Sequence, residues 1–176
     1  MSVAAKTGDP GQTQLRFGRP VAKNHPRLEA VGCVDELMAA LGLARALAAA
    51  EELQPPPIAI QRDLVRLMGE LATALEDMPA LDAQERVGPE LTARLDRWIA
   101  ELETRRPPPR DWVLPGATAP AAALDLARTV CRRAERRVAL LEEQHQLPNR
   151  EILVYLNRLG DVLWLLARSA EPTPSA

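Results

Sequence analysis

Apolar residues recur at three- and four-residue steps in five stretches, which is the period of an amphipathic helix. Leu28, Val31, Val34, Leu37 or Met38, Leu41 and Ala44 or Leu47 predict a first helix from Arg27 to about Glu52, stopped by Pro55-Pro56-Pro57. Ile60, Leu64, Leu67, Met68, Leu71 and Leu75 predict a second over 58–76, followed by a polar linker with Pro79 and Gly88. Leu91, Leu95, Trp98, Ile99 and Leu102 predict a third over 90–105, ended by Pro107-Pro108-Pro109. A fourth runs from Pro120, a first-turn proline, to about Gln144. A fifth follows Leu147-Pro148-Asn149 to about Ala170 on Ile152, Leu156, Leu159, Leu163 and Leu166. No strand period stands out. The pattern predicts an all-α, five-helix up-and-down bundle in one domain over 27–170, with an irregular arm over 1–26 and a disordered tail over 171–176.

Two helices carry a second, polar pattern. In ARTVCRRAERR, Ala127 to Arg137, the residues Ala127, Val130, Cys131 and Ala134 continue to Val138 and Leu141 as one apolar stripe. Arg128, Arg132 and Glu135 form a polar stripe on its flank, while Arg133, Arg136 and Arg137 fall elsewhere on the wheel and read as solvated. The polar stripe fits either a solvated face or a site for a polyanion such as a nucleotide phosphate. On the fifth helix, Asn157, Gly160, Asp161, Trp164 and Arg168 recur opposite the apolar positions. A mid-helix glycine costs about 1 kcal/mol relative to alanine, so Gly160 predicts a close approach. Asp35 and Glu36, in the middle of the first helix, read as facing water.

Composition narrows the partners. A net charge of -2 over 176 residues, with 26% charged, argues against nucleic acid and leaves room only for a local basic patch. Cys33 and Cys131 sit in apolar helical patterns and only two histidines, His25 and His145, are available, so buried reduced thiols are expected rather than a metal site or a disulfide. No signal-like apolar run opens the sequence and no stretch approaches the ~18 apolar residues of a membrane span, so a cytoplasmic protein is expected. Two loops draw notice. Lys6-Thr7-Gly8-Asp9-Pro10-Gly11-Gln12-Thr13 has the composition of a backbone nest for an anion, or of an ordinary flexible terminus. Asp111-Trp112-Val113-Leu114-Pro115-Gly116 sets a tryptophan on a loop, where it either plugs the core or meets a ligand.

TGDPGQTQL, Lys23, RLEAVGCVDEL with GLA after it, WVLPGA, ARTVCRRAERR and YLNRLGDVLWLLAR occur in this order from Lys6 to Arg168. Together they resemble the PduO-type ATP:cob(I)alamin adenosyltransferases. The resemblance implies a five-helix bundle, a homotrimer with active sites between subunits, and transfer of the 5'-deoxyadenosyl group of ATP to the cobalt of cob(I)alamin. Inorganic triphosphate would be released, with Mg2+ on the phosphates rather than on protein side chains. It further implies that the arm, through Thr7, Gly8, Asp9, Gly11 and Thr13, wraps the triphosphate with Lys23, Arg132, Glu135 and Asn157. Asp35 and Arg128 would pair across the subunit boundary beside the corrin, with Trp112 and Trp164 as the aromatics of the corrin pocket. Trp112 would push the lower axial base off cobalt, easing reduction of cob(II)alamin. A reductase and an adenosylcobalamin-dependent acceptor enzyme are the implied protein partners.

The resemblance is uneven. The family usually has phenylalanine at the positions of Trp112 and Trp164, asparagine at Met38, glycine at Ala117, histidine at Asp125 and serine at Gly160. The nucleotide side is largely retained and the corrin side altered, so the alternative is a non-catalytic paralogue that binds or delivers a corrinoid or another tetrapyrrole.

Overall fold

A computed structural model describes residues 8–48, 53, 57–106 and 111–172. Thr7, the prolines at 55, 56 and 107 to 109, and the tail from 173 lie outside the described residues. Five helices form as expected: α1 (Pro26–Leu47), α2 (Pro57–Leu71), α3 (Pro89–Arg105), α4 (Ala119–Glu143) and α5 (Glu151–Ser169). Their starts follow local chemistry. Pro26, Pro89 and Pro120 occupy first-turn positions, where the missing N–H is no loss. His25 Nδ1 accepts from the Arg27 amide at 3.2 Å, and Thr118 Oγ1 accepts from the Ala121 amide at 3.2 Å.

The helices run alternately up and down. Gln61 Nε2 donates to the Met38 carbonyl, Glu36 pairs with Arg133, and Asn157 bonds Glu135, each pairing elements of opposite direction. Arg158 pairs with Asp96 at 2.6 Å on α5 and α3, which run parallel. Helix α1 packs chiefly against α4 and also against α2, and α5 packs against α4 and α3. Because α1 is covered on two sides, its buried set is wider than one stripe: Ala30, Cys33 and Ala40 join Val34, Leu37, Leu41 and Ala44, while Leu47 stays exposed. All six residues of the predicted α4 stripe, Ala127 to Leu141, are buried.

Buried polar groups pin the ends and the middle. Arg27, nearly inaccessible, donates to the Leu71 carbonyl at 3.0 Å and the Gln146 carbonyl at 2.5 Å, tying the start of α1 to the ends of α2 and α4. Tyr155 donates to Asp63 Oδ2 at 2.9 Å, and Arg94 pairs with the same oxygen while lying over the Trp98 ring. Burial, reinforced by Asp63, pushes the Tyr155 hydroxyl above its usual range. Trp98 is therefore half-buried packing, as its position predicts.

Four features depart from the sequence reading. The arm contains a hairpin, with β1 (Gln12–Gln14) antiparallel to β2 (Pro20–Ala22) and Thr13 opposite Val21; strands of three residues are too short to show a period. The first two helices end earlier than predicted, at Leu47 and Leu71, and the linker after α2 holds short 3-10 turns at Leu75–Ala80 and Ala83–Glu85. A Cβ at Gly160 would meet nothing within 4 Å, so the close approach predicted there is absent from the described residues. Glu171 and Pro172 are held, since Arg106 donates to their carbonyls at 2.8 and 3.0 Å.

The hairpin docks on the α2 end through buried Leu15, an Arg16 amide bond to the Ala72 carbonyl at 2.9 Å, and two ion pairs, Arg16 with Glu85 at 2.7 Å and Arg19 with Asp77. Hydrogen bonds from these arginines hold both carboxyls below their usual range. Their contribution is therefore complete above the unfolded carboxylate values near pH ~4 and fades as pH falls through the lower folded values. Amide protection in 12–22, corrected for intrinsic exchange, should drop below pH ~4 while α4 stays protected; equal protection down to pH 3 would contradict this anchoring. Cys33 and Cys131 are free and buried, and burial raises the Cys131 thiol far above its ordinary range. Both should resist a disulfide reagent in the native protein and react stoichiometrically only after unfolding; fast labelling of native Cys131 would contradict its packing.

Candidate functional site

The α4 stripe becomes a site because α5 lies antiparallel beside it. Packing of the apolar stripe leaves the flank at the α4–α5 seam open as a groove of about 510 Å³. Arg132, Glu135 and Asn157 all line it, and Asn157 Nδ2 donates to Glu135 Oε1 at 2.9 Å. That bond fixes the amide and leaves the second carboxylate oxygen free of it. Leu153 and Val154 supply an apolar wall, the kind of surface that takes a flat heterocycle, while the arginines take anionic oxygens.

Two lining arginines fall outside the expected set. On the helical wheel Arg136 reads as solvated, yet it lies one turn beyond Arg132 and joins the groove; the i, i+4 spacing is the available signal. Arg150, at the cap position of α5, also lines it and pairs with Glu142 at 3.1 Å. It sits outside any helical pattern, so no period points to it. Arg133 and Arg137 do face away as expected, pairing with Glu36 and with Glu29 at 3.5 Å on α1.

The arm forms a second concavity of about 350 Å³, bordered by Gly8, Gln12, Thr13 and Gln14. Its turn is closed by the Gly11 amide on the Gly8 carbonyl at 3.1 Å and the Lys23 amide on the Gly11 carbonyl at 3.0 Å. Gly11 has φ +82°, a region that L side chains avoid. A Cβ on Gly8 would sit 3.0 Å from Lys23 Nζ, so the ammonium lies against this turn. Asp9 is exposed on it. Lys23 and the arm are thus brought together, and Arg132, Glu135 and Asn157 are brought together, but the two concavities share no lining residue among the described residues.

The residues assigned to the corrin are distributed differently. Asp35 is exposed on α1 and has no ion-pair partner among the described residues. Arg128 Nε instead pairs with Asp125 Oδ1 at 3.1 Å, one turn back on its own helix. Asp125 Oδ2 binds Arg168 Nη2 at 2.5 Å, and the Arg168 guanidinium lies 5.7 Å from the centre of the half-buried Trp164 ring. Asp125 is 3% exposed. Trp112 is 92% exposed and its neighbour Leu114 78%, so this loop does not plug the core. Of the two readings of that loop, the core plug is excluded. Among the described residues no three of His, Cys, Asp and Glu converge as a metal site, and no helix is long and apolar enough to cross a membrane.

The profile of the cobalamin adenosyltransferase family matches residues 3–170. The corrinoid adenosyltransferase PduO of Citrobacter freundii is 40% identical over 172 residues, covering 97% of this chain and 50% of the relative. The cobalamin adenosyltransferase of Cupriavidus metallidurans is 39% identical over 94% of this chain and 86% of its own length. The chain thus spans about half the length of the PduO relatives from Citrobacter freundii and Salmonella typhimurium. Among solved structures, a variant PduO-type ATP:corrinoid adenosyltransferase from Lactobacillus reuteri, complexed with cobalamin and ATP, aligns with TM-score 0.85 and 32% identity. That alignment covers 96% of this chain and 93% of the other.

Proposed function

The chain belongs to the cobalamin adenosyltransferase family, and from that premise we propose that it moves the 5'-deoxyadenosyl group of ATP to the cobalt of cob(I)alamin. The observation that carries the proposal is the convergence of Arg132, Glu135 and Asn157 in one groove beside an apolar wall. The cobalt lone pair attacks the ribose 5' carbon, the Co–C bond forms as the C–O bond breaks, and the bond electrons leave on triphosphate. Cob(I)alamin is itself a strong nucleophile, so this chain needs no general base. Its work is to align the two reactants and to stabilise the departing charge.

Each residue has a part in that work. Arg132 pairs with phosphate oxygens and disperses the charge that builds on them. Glu135, oriented by Asn157, directs the nucleotide, and Arg136 and Arg150 extend the positive wall of the groove. The arm closes over the triphosphate with the amides around Gly8, Asp9, Gly11 and Thr13 and with Lys23, continuing to Thr7. Among the described residues Glu135 is the one carboxylate lining the groove, which fits a magnesium ion that would arrive on the phosphates rather than be held by a protein cage. That ion would supply further charge dispersal on the leaving group. The nucleotide takes the arm of one copy and the α4–α5 seam of another, as the family resemblance implies. In this reading, taken from the family resemblance, the sites lie between the subunits of a homotrimer and Asp35 of one copy meets Arg128 of the next. A reductase supplying the electron and an acceptor of the adenosylated product complete the scheme.

Protein incubated with ATP, magnesium and chemically reduced cobalamin should develop the adenosylcobalamin spectrum and release triphosphate; tight corrinoid binding with neither change would favour the non-catalytic alternative. Arg132→Ala should lower kcat/KM for ATP by roughly 10²-fold, the usual effect of deleting one charge-stabilising donor. Trp112→Ala tests the exposed loop tryptophan as the group that displaces the axial base. It should raise the five-coordinate share of bound cob(II)alamin and slow adenosylation on the order of 10²-fold with ATP affinity nearly constant; equal turnover in both proteins would remove Trp112 from the reaction.

A further inference from the structure

We propose that Asp125 is a positioning residue that sets Arg128 and Trp164 as a single unit on the corrin-facing side, an inference that rests on the corrinoid reading above. Asp125 and Arg168 are each 3% exposed, and the carboxylate divides its oxygens between two guanidinia. Oδ1 takes Arg128 Nε at 3.1 Å and Oδ2 takes Arg168 Nη2 at 2.5 Å. Only an ionised carboxylate can serve two cations this way from one side chain; an amide offers one acceptor oxygen and turns donor hydrogens towards the other.

The two arms of the carboxylate have different consequences. Holding Arg128 by Nε fixes the plane of its guanidinium and leaves the Nη1–Nη2 edge for a bidentate partner, and that edge bonds nothing among the described residues. The Arg128 side chain is 25% exposed, so this edge can meet a ligand or another copy. The other arm reaches Trp164. Arg168 is closed in by Glu171 Oε1 at 2.9 Å and by the Arg106 bond to its own carbonyl, and its guanidinium lies 5.7 Å from the Trp164 ring centre. Arg168 is thereby held by contacts that Arg128 does not share. Within this cluster two carboxylates, Asp125 and Glu171, answer three guanidinia, those of Arg106, Arg128 and Arg168. Loss of the Asp125 charge would leave Arg168 with Glu171 as its carboxylate partner and Arg128 with none among the described residues, and would release Arg128 and Trp164 from their shared anchor.

The experiment compares Asp125→Asn with the double variant Asp125→Asn/Arg168→Met, which removes one buried charge of each sign and so guards against simple unfolding. KM for cob(I)alamin and for ATP are measured separately, with binding of cob(II)alamin in the presence of ATP followed by electron paramagnetic resonance. Both variants should raise the corrinoid KM and weaken cob(II)alamin binding by tenfold or more, with the ATP KM within twofold of wild type. In an Arg128→Ala background, Asp125→Asn should add clearly less than it does alone, because part of its effect has already been lost. An unchanged corrinoid KM in a folded variant, equal losses for ATP and corrinoid, or full additivity with Arg128→Ala would overturn the inference alone. Wild-type protein that bound no corrinoid would overturn the functional reading and this inference with it.

Discussion

The double burial of α4 is the constraint on which the rest depends. Its apolar stripe from Ala127 to Leu141 has to be covered by α1 on one side and by α5 on the other, and a helix advances about 100° per residue. Once that stripe is sealed, the positions of Arg128, Arg132, Glu135 and Arg136 are no longer free. Arg128, Arg132 and Arg136 follow one another a turn apart on the flank of that stripe, with Glu135 three residues beyond Arg132 facing α5. The antiparallel course of α5 then brings Asn157 to Glu135 and Arg168 to Asp125. A hydrophobic requirement thus sets the register of a polar site, and the pairs across the seam follow that register without having to create it.

Most of the bundle is legible in the sequence because long helices repeat their signal many times. The six α4 core positions and the first-turn role of Pro120 can be read directly, whereas Pro57, which reads as part of a helix stop, opens α2. The groove is half legible: Arg132, Glu135 and Asn157 stand out, whereas Arg136 does not, because a wheel drawn for one helix omits the neighbour that turns its flank into a wall. Arg150 precedes the first turn of α5 and obeys no period. The hairpin escapes because three paired residues on each side cannot show alternation, and its anchors, Ala72, Asp77 and Glu85, lie more than fifty residues away. Gly160 misleads for a different reason. Its cost within a helix is real, but among the described residues nothing lies within 4 Å of a Cβ placed there.

Asp125 shows most plainly why a sequence reading stops short of a site. As one acidic residue in an alanine-rich helix start it carries no pattern, and its meaning depends on Arg168, forty-three residues away. Resemblance marks it only as a departure. Burial gives it weight, since a carboxylate removed from water persists when its charge is answered, and here two guanidinia answer it. The same logic separates this cluster from Arg133 with Glu36 or Arg137 with Glu29, whose exposed pairs are screened by solvent and organise nothing around them.

The two ends of the proposed site are built on different physical terms. On the nucleotide side, charge and hydrogen bonding dominate: three arginines and a glutamate in the groove, a lysine and backbone amides in the arm. Such groups are well solvated before a ligand arrives, so the free protein keeps them without strain. On the side proposed for the corrin an aromatic, Trp112, is almost wholly exposed beside exposed Leu114. Leaving so much apolar surface in water forgoes roughly 25 cal/mol for each Å² that packing would have covered, and nothing in the bundle recovers it. A loop shaped in that way makes physical sense when a large apolar face, such as a corrin ring or a neighbouring copy, supplies the cover. Rigid and adaptable parts are thereby separated in the fold. Helices α4 and α5 fix where Arg132, Glu135 and the Arg128 edge stand, and the Trp112 loop projects beyond that rigid frame.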